Sequence, residues 1–286
     1  MTDTAVTPTR APVAPDLPPP RSAGKRLLIT GASSGIGRAL AVAYAKDGAS
    51  LYLLGRDEAR LDATADACRA AGAAEVETRI VDVRDREAMA RIVEAANAAR
   101  AIDIIVANAG VATGLSPGQI LETPEAVRAT LAINVAGVFN TVEPAIPVMA
   151  SRKYGQIAIV GSMAGVRSLP YSPAYCAAKA SVHMWADCLR GQLAPHGVGV
   201  SLIVPGFVKT PMSARTKSWQ PGAISDTRAA EIIKSGLERR RSVIAFPQYM
   251  YYALRFFSFL PPSLVDGVMR RFHVVVPESP ERGEDM

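Results

Sequence analysis

Arg26-Leu27-Leu28-Ile29-Thr30-Gly31-Ala32-Ser33-Ser34-Gly35-Ile36-Gly37 is the stretch that decides the fold. The apolar run Arg26–Thr30 reads as a short buried strand. The glycines that follow have the spacing G-x-x-x-G-x-G and lead into Gly35–Lys46. There, Ile36, Leu40 and Ala43/Tyr44 recur at helical intervals. A strand that turns through small residues into a helix is the construction that binds a diphosphate. Small residues let the backbone come close, and the helix N-terminus offers free N–H groups at the positive end of its dipole.

Outward from this turn, apolar runs keep alternating with helical patterns. Strands are predicted at Ser50–Leu54, Glu75–Val81, Ile102–Ala107, Gly155–Val160, Gly199–Val204 and Val243–Phe246. Helices are predicted after Asp57, which can cap, and over Asp85–Ala98, Pro124–Ala150, Pro173–Pro195 and Asp226–Arg239. The strands are rich in Ile, Val and Leu, which suggests burial on both faces. The pattern predicts an α/β fold, a single-domain, doubly wound, Rossmann-like parallel sheet with right-handed crossovers.

Composition bounds the rest. In 286 residues, 49% are apolar and 20% charged, a globular balance. No apolar run reaches the length of a spanning helix, which argues against a transmembrane protein. Cys68, Cys176 and Cys188 with His183, His196 and His273 share no metal-ligand spacing, so no metal is expected. Sparse, odd cysteines fit a reducing, cytoplasmic compartment. The net charge of +6 is too mild to point to nucleic acid. Residues 239–273 hold Arg239, Arg240, Arg241, Arg255, Arg270 and Arg271 against Asp266. They read either as a solvated face or as a basic patch for phosphate or an anionic membrane. Residues 1–22, with six prolines, read as a flexible arm, 23–247 as the catalytic domain, 248–276 as an apolar helical appendage and 277–286 as a tail.

The octet Thr30–Gly37 resembles the cofactor turn of the short-chain dehydrogenase/reductase family, and the resemblance continues to about residue 225. It implies cofactor contacts from Gly31, Ser33, Ser34, Gly35, Ile36 and Gly37. Asp82 and Val83, ending the third strand, are implied to hold the adenine. Asn108, Ala109 and Gly110 resemble the family's N-N-A-G, with Ala107 in place of the first Asn. The segment from Pro205 through Gly206, Phe207 and Val208 to Thr210 resembles its P-G-x-x-x-T, with Thr210 implied to bind the nicotinamide carboxamide. Where NAD-preferring enzymes carry an acid for the ribose hydroxyl, this chain has Gly55, and Arg56 follows it. NADP(H) is therefore expected over NAD(H), with an exposed Arg and dual use as the alternative.

Tyr175 and Lys179 stand at i and i+4 on the long predicted helix, hence on one face. Ser162 precedes Tyr175 by thirteen residues and Asn134 lies in the middle helices. Taken singly, each has a plainer explanation as a cap, a satisfied polar group or a surface pair. Together, in this order, they match the family's catalytic set. Ketone reduction needs a hydride at carbon and a proton at oxygen. A neighbouring ammonium and an oxidised nicotinamide are expected to lower the Tyr175 phenol from its usual value near 10, making it the acid–base group. Ser162 would stabilise the oxygen and Lys179 would also bind ribose; the family implies that Asn134 holds a relay water. Cys176 reads as buried and inert, and His183 as packing or solvent-facing. Ser162 lacks the elbow of a hydrolase.

For substrate, Leu169, Tyr171, Phe207 and Met212 flank these motifs and would join Ser162 and Tyr175 in an apolar pocket. Residues 211–225, including Trp219, read as a lid. The appendage Tyr249–Leu260 carries six of the chain's 17 aromatics. It reads as a core or dimer cover, a monotopic membrane foot within 249–271, or a lid over a lipid-like substrate. The implied activity is reduction of a 3-oxoacyl, sphingoid or steroid-like ketone, or oxidation of its alcohol. Other readings are a reductase in surface-polysaccharide assembly, a non-catalytic nucleotide-binding scaffold and an extended-branch sugar-nucleotide epimerase or dehydratase. The family habit implies a homodimer or homotetramer.

Overall fold

The computed structural model describes residues 24–115, 118–215 and 220–269. The arm, the tail, Trp219, Arg270 and Arg271 lie outside them. In chain order the described elements are β1 (Arg26–Thr30), α1 (Gly35–Ala45), β2 (Ser50–Gly55), α2 (Glu58–Ala70), β3 (Glu75–Ile80), α3 (Arg86–Ala99) and β4 (Ile104–Ala107). Then come α4 (Pro124–Leu131), α5 (Gly137–Val142), α6 (Ile146–Ser151), β5 (Gly155–Val160), α7 (Pro173–Leu193), β6 (Val198–Pro205), β7 (Val208–Lys209) and α8 (Pro211–Ala214). The last are β8 (Ile224–Ser225), α9 (Asp226–Glu238), β9 (Val243–Phe246), α10 (Gln248–Phe257) and α11 (Pro262–Met269).

Seven strands form one parallel sheet in the order β3-β2-β1-β4-β5-β6-β9. Side chains alternate across it. Leu27 and Ile29 enter one core with Leu40 and Tyr44 of α1, Leu61 of α2 and Ile233 of α9. Leu28 enters the other with Met89 and Val93 of α3, Val138 of α5 and Val182 of α7. Each such side chain taken from water is worth about 1.5–3 kcal/mol, so burial on both faces holds the sheet between its helices. Strand order reverses between β1 and β4, and the crevice at their C-terminal ends is where such folds bind ligands.

Four sequence expectations change. The third strand is not buried: β3 is a sheet edge, and Glu75, Arg79 and Ile80 are exposed. Residues 211–225 are not a plain loop, since α8 lies within them and β8 pairs with β7. The run Pro124–Ser151 is long and apolar enough to cross a membrane, with mean hydropathy 1.3. It instead packs on α3, α7 and β4, broken by a π turn at Ala132–Ala136 and a tight turn at Glu143–Ala145. The basic run does not form one patch. Arg240 donates to the Gly155 carbonyl at the start of β5, whereas Arg255 lies in α10, beyond the C-terminal end of β9. The length of β9 separates them.

Candidate active site

The turn after β1 is tight because three glycines leave no room for anything larger. Gly31 has φ +64°, and a Cβ there would lie 2.8 Å from the Ala109 Cα. A Cβ on Gly37 would strike the Gly31 carbonyl and the Asn108 amide. Asn108 ties the two strand ends together: its Nδ2 donates to the carbonyls of Thr30 (2.9 Å) and Gly31 (3.1 Å). Thr30 completes the clasp, its Oγ1 accepting from the N–H groups of Asn108 and Ala109 at 3.1 and 3.2 Å. The sequence reading gave Thr30 no role. Ser34 precedes α1 without capping it through its side chain, and no acid stands in the first turn. An anion therefore meets an open helix N-terminus.

A cavity of about 270 Å³ opens beside the turn, lined by Ser33, Gly55, Arg56, Asp82 and Val83 among others. Burial pushes the Asp82 carboxyl up, but hydrogen bonds from the Arg84 guanidinium and N–H, then the charges of Arg84 and Arg56, outweigh it and hold the group below its usual range. Arg56 Nη1 lies 3.6 Å from Asp82 and the side chain is half exposed. Arg60 and Arg215 also line this cavity. Neither was singled out from the sequence.

A larger cavity of about 460 Å³ adjoins the same turn and brings together Gly35, Ile36, Asn134, Ser162, Tyr175, Lys179 and Thr210. Pro205, Gly206, Phe207, Val208, Leu169 and Met212 also line it, but Tyr171 does not. Tyr171 is displaced from the expected wall, and its carbonyl accepts from the Leu115 N–H at 2.8 Å. Lys179 is buried, and its Nζ donates to the Val160 carbonyl at 2.9 Å and stands 5.8 Å from the Tyr175 ring centroid. Burial draws the ammonium down to about 8. The protein's own groups raise Tyr175, whereas the lowering was expected from Lys179 together with an oxidised nicotinamide. Burial raises the phenol above its ordinary value, more than its hydrogen bond with Ser162 lowers it.

Asn134 is fully buried in the π turn. Its Oδ1 accepts from the Val111 N–H at 3.0 Å and its Nδ2 donates to the Val111 carbonyl at 2.8 Å. Each end of the amide bonds Val111 once, so this side chain places the Gly110–Val111 backbone. Ser162 Oγ accepts from the Ala164 N–H at 3.1 Å. The Ser162 N–H donates to His183 Nε2 at 3.2 Å. Gly161 and Gly165 allow this, since a Cβ on either would run into the imidazole. Burial, then the Lys179 charge, pulls His183 down to about 4, against a small opposing effect of Asp187. His183 thus stays neutral and supports Ser162, a role that spacing alone could not reveal. Cys176 is buried, its thiol raised by burial, and its Sγ accepts from the Leu169 N–H at 3.2 Å.

The appendage contributes to the cavity lining. Met250, Leu254 and Phe257 of α10 and Met269 of α11 line it. The opposite side of α10 leaves Tyr252 and Phe256 exposed, with Phe259 beyond its end.

A family model described as short chain dehydrogenase matches residues 25–221. The chain belongs to this family. An uncharacterised oxidoreductase of Myxococcus xanthus is 36% identical, over 85% of this chain and 96% of its own length. A very-long-chain 3-oxoacyl-CoA reductase of Podospora anserina is 31% identical, over 75% of this chain and 64% of its own length. Among solved structures, a short-chain dehydrogenase/reductase from Burkholderia phymatum in complex with NAD superposes with TM-score 0.75 at 26% identity. It covers 91% of this chain and 99% of the other. A short-chain dehydrogenase from Sphingobium yanoikuyae in complex with NADPH gives TM-score 0.73 at 26% identity, over 90% of this chain and 99% of the other. The chain is an NAD(P)-dependent dehydrogenase/reductase acting on a small molecule with a nicotinamide cofactor.

Proposed function

We propose that this enzyme reduces the ketone of an apolar, lipid-like substrate to a secondary alcohol, with NADPH preferred over NADH. One observation carries the reading: a phenol, a hydroxyl and an ammonium line the same cavity as a set of aliphatic and aromatic side chains from α10 and α11. The glycine cradle that any Cβ would fill, with the open N-terminus of α1 beyond it, suits a dinucleotide diphosphate. When bound, the reduced nicotinamide supplies the hydride.

The chain's own residues do the rest. Burial keeps the Tyr175 phenol protonated through neutrality, so it can donate its proton to the carbonyl oxygen as hydride reaches carbon. In the reverse direction the phenolate takes that proton back. Ser162 shares a hydrogen bond with the phenol and stabilises the same oxygen. Lys179 binds the nicotinamide ribose, and Thr210 orients the carboxamide. Asn134 positions the Val111 backbone and is proposed to hold the relay water that leads to Lys179. Asp82 and Val83 hold the adenine. Arg56 supports the NADPH preference, because it lines the smaller cavity where no carboxylate replaces Gly55. Loss of that preference in Arg56→Ala tests the assignment; an unchanged NADPH/NADH ratio of kcat/KM contradicts it.

Residues 249–260 are proposed as the substrate lid, since Met250, Leu254 and Phe257 of α10 line the cavity. The 3-oxoacyl reductase among the relatives supports a long acyl substrate. A homodimer or homotetramer and a cytoplasmic location are proposed on the family habit. The test of the whole reading is NADPH oxidation by the purified enzyme across ketones graded by chain length. Turnover should rise with chain length; NADPH binding with no turnover of any ketone would favour a non-catalytic scaffold.

A further inference from the structure

We propose that the substrate carries an anionic group as well as its apolar chain, and that Arg167 is its anchor. This rests on the reading of the large cavity as the ketone site and names the substrate class more closely. Arg167 lies five residues beyond Ser162 and lines that cavity. Its side chain is 19% exposed, so the guanidinium is largely withdrawn from solvent. It donates no hydrogen bond to a described residue. Its one ion pair among the described residues, Nη2 to Asp266 Oδ1 of α11, is long at 3.8 Å, and its Nε is buried with no partner among them. A mostly buried guanidinium with so loose a partner is costly unless something else completes it.

The charge balance of the cavity points to what that is. Its described lining includes Lys179 and Arg167 and no carboxylate. Lys179 already donates to Val160 beside the reacting centre. Arg167 stands near α11 instead, paired with its Asp266, and the apolar side chains of Met163, Leu169 and Met269 line the same cavity. A planar fork of donors in an apolar wall is complementary to a carboxylate or phosphate on an otherwise greasy molecule. Ser172 adds a second donor nearby in sequence. It occupies the cap position of α7 but makes no capping bond, because Glu122 Oε2 accepts the Ala174 N–H at 2.8 Å. The Ser172 hydroxyl is left buried without a partner in a residue that also lines the cavity. Such an orphan beside a ligand cavity calls for an explanation, and a polar head group supplies one. Binding exchanges the loose Arg167–Asp266 contact for a tighter one, so Asp266 competes with the substrate anion.

The test compares charged and neutral partners of one chain length. Oxo fatty acids are paired with their methyl esters. A 3-oxoacyl-CoA is paired with the N-acetylcysteamine thioester, which lacks the phosphates. Wild-type enzyme should favour one charged partner by roughly tenfold or more in kcat/KM, the size of one charge-assisted hydrogen bond. Which pair shows it tells a carboxylate from a phosphate. Arg167→Met should collapse that ratio, Arg167→Lys should keep part of it, and Asp266→Asn should raise affinity for the charged partner. As a second measurement, thermal-shift binding of a saturated fatty acid and its methyl ester to wild type and Asp266→Asn needs no turnover. Equal kcat/KM for charged and neutral partners in wild type, an unaltered ratio in Arg167→Met, or weaker acid binding by Asp266→Asn overturns the proposal. Turnover of no ketone at all would instead overturn the assignment of the site.

Discussion

His183 offers the sharpest physical test of how the reaction centre is held. Its Nε2 accepts the Ser162 N–H, so the imidazole must stay neutral for the contact to exist. In the unfolded chain a histidine takes up its proton near pH 6.5, whereas burial and the Lys179 charge lower the folded value to about 4. Between those values the unfolded chain binds more protons, so stability is full above pH 6.5 and falls as the pH drops toward 4. By linkage the loss at this one residue amounts to about 3 kcal/mol. His183→Gln keeps an acceptor for Ser162 but cannot titrate. Urea denaturation of both proteins across that window should show wild type losing about 3 kcal/mol more than the variant, with comparable stability at pH 7. Carboxylates such as Asp57 and Asp82 titrate in both proteins and cancel in the difference. Parallel loss in the two proteins would show that His183 is not buried neutral, and the support of Ser162 would fall with it. His183→Leu, which leaves the Ser162 N–H without its acceptor, should cost about 1–3 kcal/mol even at neutral pH.

Other outcomes follow from the same contacts. Gly37→Ala drives a methyl into the Gly31 carbonyl and Asn108. It should lower stability by about 1–3 kcal/mol and abolish cofactor quenching of tryptophan fluorescence; tight NADPH binding by this variant would contradict the cradle. Alkylation followed by mass spectrometry should label Cys188, which is exposed, and spare Cys68 and Cys176, which are buried. Activity should survive; loss of turnover with label on Cys176 would reopen thiol chemistry. For the outer side of α10, flotation with liposomes of anionic and neutral lipid should carry the enzyme upward if Tyr252, Phe256 and Phe259 form the membrane contact. Recovery in the soluble fraction with both lipids removes that reading.

The fold was readable because two signals coincided. Glycines at positions 31, 35 and 37 stand between an apolar run and a helical one, and the strands beyond them are apolar enough to be covered on both faces. Local pattern could not show which strand lies at the edge, so β3 was taken as buried. In the site, the residues carried by local motifs, Ser162, Tyr175 and Lys179, do meet in one cavity. Contacts made across elements were illegible. His183 reaches Ser162 from the next turns of α7, and Arg167 is one arginine among many until α11 is laid beside it. Tyr171 looked like pocket wall by proximity in sequence, but the backbone there turns to pair with Leu115. The effect of burial on Tyr175 was also illegible, because spacing gives the distance to a cation but not the degree of burial.

The central claim is that Tyr175 delivers the proton. Turnover and NADPH binding measured side by side on Tyr175→Phe test it most directly. The account predicts cofactor affinity close to wild type and kcat lower by roughly 10²–10⁴-fold. Undiminished ketone reduction by that variant would contradict it.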